Sequence, residues 1–126
     1  MATTKFTFDT AYLRILYEML HSTVMVPLDI RLPPEWLIQF VITKDDEAYG
    51  WVNPEDDFNE PFGEYTVDIS KVKNTTYKDL IETLLHEMIH IHAHHLGLSD
   101  WDEHGQDSPF DKTRIRVEQF TGLSIS

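Results

Sequence analysis

The sequence predicts a small α+β domain, on three observations. Runs rich in β-formers fill residues 36–70, apolar residues recur at helical spacing on either side, and no Gly/Ser- or Pro-rich linker divides the 126 residues. The expected order is α-β-β-β-α-α in one domain spanning residues 1–126, within the usual range of about 100–150 residues. Three Trp, five Tyr and seven Phe supply a core, and no internal repeat is visible.

Asp9 is a suitable N-cap for a first helix over about Thr10–His21, where Leu13, Leu16 and Leu20 recur at helical spacing beside Tyr12, Ile15 and Met19. Pro27 and the pair Pro33-Pro34 predict a loop after it. Trp36–Ile42 then reads as a strand ending at the acidic turn Lys44-Asp-Asp-Glu. Ala48–Val52 is expected to pair with it as a hairpin. Glu64–Ser70 alternates, with Tyr65, Val67 and Ile69 on one face and Thr66, Asp68 and Ser70 on the other. Asn53–Gly63 between them, with two prolines and several acids, reads as a surface loop.

Thr75 or Thr76 can cap a second helix, with Asp79 near its positive end and Gly97 placed to stop it. Leu80, Leu84, Met88 and Ile91 form its apolar ridge, adjoined by Ile81, Leu85 and Ile89. Ser108-Pro109 opens a third helix, an N-cap followed by proline at the first helical position, and Gly122 ends it after about Phe120.

Composition excludes several classes. With no cysteine there is no disulfide framework, zinc ribbon or thiol nucleophile. Twenty-two acids against ten bases give a net charge of −12, which opposes any extended contact with nucleic-acid phosphates. No window approaches the roughly 20 apolar residues of a membrane span, and the N-terminus lacks the apolar stretch of a signal peptide. The expected setting is cytoplasmic, without membrane or nucleic-acid partner.

Six of the seven histidines lie within residues 86–104, and two of them form His86-Glu87-Met88-Ile89-His90, an H-E-x-x-H motif inside the second helix. Residues four apart stack about 6 Å along the axis, so two imidazoles can converge on one metal. Glu87 is rotated away from the pair, where it can hold a water and take its proton as general base. A zinc ion would supply the acidified water. The third ligand has several candidates. The metzincin position is Leu96, which also excludes the zinc endoribonucleases with comparable short spacing. Glu103 or Glu118 would suit a thermolysin-like site, and His104 follows the turn at Gly97.

Ile81–His90 resembles the active-site helix of the SprT-like, or Spartan-type, zinc metalloproteases, in a minimal form without their zinc-ribbon extension. That family follows the helix with a third histidine in a His-Gly-x-x-Phe context, similar here to His104-Gly105 and the nearby Phe110. The resemblance implies a zincin-like fold, with a three-stranded sheet packed on the active-site helix. It also implies one zinc ion held by His86, His90 and His104, Glu87 as catalytic base, and protein or peptide substrates.

The remaining candidates read as structural. His92, His94 and His95 are expected on the surface of the last turn, where histidine suits the negative helix end, and His21 likewise. One of Asp100, Asp102, Glu103 and Asp107 could orient a ligand imidazole, and Trp101 is expected to anchor the loop by packing. In zincins a strand near the metal can pair with an extended substrate, a role open to Glu64–Ser70. An alternative function also stands: a non-enzymatic, zinc-stabilised acidic binding protein. Asp45, Asp46, Glu47, Glu55, Asp56, Asp57, Glu60 and Glu64 lie in a stretch without Lys or Arg, which could imitate nucleic-acid phosphates and capture a basic partner.

Overall fold

A computed structural model describes residues 6–55 and 64–126 of the chain. Asp9 caps the first helix, α1 (Thr10–Leu20), its carboxylate accepting from the Tyr12 N–H at 2.8 Å. Leu13, Leu16, Tyr17 and Leu20 are buried, whereas Ile15 and Met19 face solvent. The helix does not give way to loop at His21. It continues as a wider π turn over His21–Met25 that buries Val24 and Met25. The Ser22 and Thr23 hydroxyls both donate to the Met19 carbonyl, competing with the backbone amides there. Pro27 then follows, and a short 3-10 turn over Glu35–Leu37 takes up Trp36 and Leu37, expected in the strand.

The class is α+β, with three strands and three α-helices among the described residues. The strands are β1 (Ile38–Thr43), β2 (Gly50–Glu55) and β3 (Glu64–Ser70). Asn53, Pro54 and Glu55 extend β2 instead of opening the loop, and residues 56–63 of that expected loop lie outside the described residues. The hairpin expected between β1 and β2 does not form. The sheet order is β1-β3-β2, with β1 parallel to β3 and β2 antiparallel to it. Two features explain this. Pro54 has no N–H to give to a second neighbour, so β2 belongs at an edge. The segment after β1 folds on its own carboxylate, Asp45 accepting from the Glu47 and Ala48 N–H groups, and is bonded across the end of β3 by Ser70 N–H to the Tyr49 carbonyl.

The third strand is therefore central. Tyr65, Val67 and Ile69 are buried as the alternation predicts. Both of its edges are hydrogen-bonded, so it offers none to a substrate, and that expectation is corrected.

Thr76 caps α2 (Tyr77–His95) by accepting from the Asp79 N–H. Leu80, Leu84, Leu85, Met88, Ile89 and Ile91 are all fully buried, against α1, the sheet and α3 (Pro109–Thr121). Gly50 makes the close approach of sheet and helix possible: a Cβ there would stand 2.7 Å from the Asp68 carbonyl oxygen and 3.2 Å from Thr83 Cγ2. Gly97 ends α2 at φ +77°, a left-handed conformation that favours glycine. Ser108 caps α3, whose Phe110 and Val117 close the core.

Beneath the 45–49 turn lies a buried polar network that sequence reasoning missed. Asn74 donates to the Tyr49 and Ser70 carbonyls and accepts from the Thr83 hydroxyl at 2.6 Å. No helix among the described residues is long and apolar enough to cross a membrane.

Candidate metal centre

Four-residue spacing on α2 stacks His86 and His90, with ring centroids 4.9 Å apart. After Gly97 the chain turns back, and the following loop brings His104 to the same point. The three Nε2 atoms lie 3.2 Å (His86–His90), 3.1 Å (His86–His104) and 2.7 Å (His90–His104) apart. Phe110, from the first turn of α3, packs against all three rings at 4.5–4.8 Å.

The donor set fits a metal ion. His90 Nδ1 lies 2.8 Å from the Trp101 carbonyl oxygen, so it carries the proton and Nε2 presents a lone pair to the centre. Burial, and then the neighbouring His90 and His104, push the His86 imidazole down to about 4. Burial lowers His90 as well. Neutral rings with lone pairs converging at about 3 Å repel unless a cation lies between them. Ligands at 2.0–2.1 Å around a tetrahedral ion stand about 3.3 Å apart, close to this spacing.

Glu87 faces elsewhere. It is 3 % exposed, and its Oε2 has no hydrogen-bond partner among the described residues. Burial, with Asp68 beside it, pushes its carboxyl up to about 8. Glu87 and His86 share the wall of a cleft of about 500 Å³, with Thr83, Glu82 and Asp79 on the same helix, Tyr49 and Gly50 at the start of β2, and Ser124 and Ser126 opposite. The edge strand at the cleft is thus β2, not β3. An orphan buried oxygen on such a wall is placed to bond a water.

The other candidates separate. Glu118 accepts from Arg114 and from the Ile125 N–H, away from the centre, and Glu103 is exposed and outside the converging group. The acceptor that orients His90 is a main-chain carbonyl and none of the four nearby acids, although Asp102 acts on His90 through its charge. A backbone acceptor leaves no trace in side-chain chemistry, so the sequence could not point to it. Trp101 packs edge-on against His90, in keeping with an anchoring role. His95 is exposed as expected. By contrast, His92 lies 2.6 Å from the Arg31 carbonyl oxygen, and His94 lies 2.7 Å from the Tyr65 hydroxyl. Those two are tied into the fold and are not simple surface residues.

Comparison with known proteins gives two findings. The SprT-like family model matches residues 39–126. The DNA-dependent metalloprotease SPRTN of Rattus norvegicus is 45 % identical over 49 residues, which is 39 % of this chain and 10 % of that protein. The same protein from Mus musculus matches to the same extent. The match thus spans about a tenth of each relative.

Proposed function

We propose that this chain, which belongs to the SprT-like family, is a zinc metallopeptidase whose residues 1–126 form one zincin-like catalytic domain. His86, His90 and His104 would hold the ion, which when bound supplies Lewis acidity for water and carbonyl. Glu87 is the general base. A cation held beside it would favour its ionised form, and in that form its Oε2 accepts a proton from a cleft water as that water's oxygen attacks the substrate carbonyl carbon. The C–N bond then breaks, and Glu87 returns the proton to the leaving nitrogen. The Trp101 carbonyl fixes the His90 tautomer, and Phe110 packs against the ligand rings. Extended protein or peptide segments are the substrates, and the setting is cytoplasmic.

The observation that carries this reading is the unpartnered, buried Glu87 Oε2 on the wall of a cleft that His86, one of three converging imidazoles, also lines. Among the described residues the converging group contains three side chains, which supports a fourth position left for water over a closed structural site. This favours a peptidase over the non-enzymatic acidic binding protein. Casein or peptide cleavage by zinc-loaded protein tests the role of Glu87. Glu87→Gln should keep zinc and lose cleavage by at least about a hundredfold. Equal cleavage by the two proteins would overturn it.

A further inference from the structure

His86 and His90 are followed one turn later on α2 by His94, and this third histidine lies under the loop that delivers His104. The His94 ring stands edge-on to the Trp101 indole, with centroids 5.2 Å apart and planes at 89°. Its Nδ1 shares a 2.7 Å hydrogen bond with the hydroxyl of Tyr65, a buried residue of the central strand. Trp101 in turn provides the carbonyl that orients His90.

The loop between Gly97 and Ser108 has few other anchors. Residues 102–107 are all exposed, and Trp101 is the one aromatic side chain in the loop, half-buried. The Glu103-to-Asp100 and Ser108-to-Gly105 backbone bonds close turns within the loop and do not tie its middle to the helix. The far end of the loop is held by Asp107 N–H to Asp111 Oδ2 and by Phe110 against His104, so the seat of Trp101 places its own carbonyl and the near end of the segment that carries His104.

We propose that His94 is a positioning residue for the metal centre. Held by Tyr65 from the sheet, it seats the Trp101 indole, and so sets the carbonyl that orients His90 and the loop that carries His104. The inference rests on the reading that His86, His90 and His104 hold zinc. His94 is outside that converging group, so it acts through Trp101 and not as a ligand. A contact this far from the ion acts as outer-shell partners do, whose loss typically costs about 10–100-fold in metal affinity.

The test uses the full chain, well below its unfolding temperature, with zinc affinity from chelator competition and geometry from the cobalt(II) absorption spectrum. His94→Ala should weaken zinc binding about 10–100-fold and shift the cobalt bands, with unchanged circular dichroism. His94→Phe keeps a ring against Trp101 but loses the bond to Tyr65. It and Tyr65→Phe should show similar, smaller losses, and the double variant should be no worse than either single one. Affinity within about twofold of wild type for His94→Ala, with the same cobalt spectrum, overturns the proposal while leaving the metal centre intact. If His94→Ala does not fold, the same result for both His94→Phe and Tyr65→Phe overturns it. Wild-type protein that binds no zinc overturns this proposal and the metal-centre reading together.

Discussion

His90 Nε2 and His104 Nε2 stand 2.7 Å apart although fourteen residues of chain separate them. An ion held between them would cross-link α2 to a loop whose residues 102–107 are exposed. Zinc at a thousand times its dissociation constant should therefore stabilise the protein by about 4 kcal/mol, a rise on the order of 10 °C in Tm for a chain of this size. His104→Ala should lose most of that rise and expose the loop to proteolysis in the presence of zinc. Calorimetry with and without a chelator measures the first effect, and limited proteolysis the second. An equal zinc-induced rise in His104→Ala would remove His104 from the ligand set.

The metal-free protein should weaken in mild acid. Burial holds the His86 imidazole down at about 4, against an unfolded value of 6.5. The unfolded chain thus takes its proton first, so the stability is fully present above pH 6.5 and drains as pH falls towards 4. One such group changes stability by about 1.4 kcal/mol per pH unit across that window. Urea unfolding of chelator-treated protein between pH 7.5 and 4.5 measures the slope. His86→Gln should flatten it by roughly one proton's worth, and an unchanged slope would contradict the burial argument.

Gly50→Ala should destabilise the protein by on the order of 1–3 kcal/mol, because the new Cβ meets the Asp68 backbone oxygen at 2.7 Å. Asp68 belongs to β3, and a backbone atom cannot swing aside as a side chain can, so β2 and β3 must part locally, with Thr83 Cγ2 of α2 crowding the same Cβ at 3.2 Å. Since Gly50 also lines the cleft beside Glu87, cleavage should fall with it. Urea denaturation gives the first number, and stability equal to wild type would mean that β2 shifts against β3 without cost.

How far the sequence could carry the fold is clearest at the strands. The alternation of Glu64–Ser70 gave its limits and its buried face, because a half-buried strand needs period two. It could not give the partner, since both neighbours satisfy the same alternation. Pro54 was the available signal that β2 is an edge strand, and it was read as loop chemistry instead. At the centre, His86 and His90 follow from helical spacing alone. His104 stands among three candidates, with Glu103 and Glu118, until resemblance to a family singles it out, because a loop ligand has no spacing rule of its own. The Trp101 carbonyl and the Tyr65–His94 bond are tertiary contacts across 11 and 29 residues, respectively. No local pattern encodes them.

Cleavage by this chain should not depend on DNA, although the relatives it resembles carry that dependence in their names. The ten Lys and Arg residues face 22 acids. Four of them already pair with acids of the chain: Arg14 with Glu35, Arg31 with Asp29, Lys78 with Glu82, and Arg114 with Asp111 and Glu118. The other six act against a net charge of −12, a field that opposes the phosphate contacts whose counterion release drives non-specific binding. Fluorescence anisotropy with labelled single- and double-stranded DNA at about 150 mM salt should show no saturation below roughly 100 µM, weaker than the usual non-specific range. Peptide cleavage should change less than twofold when DNA is added. Stimulation of tenfold or more would place a nucleic-acid surface on this chain despite its charge, and would bring its activity into line with that of its relatives.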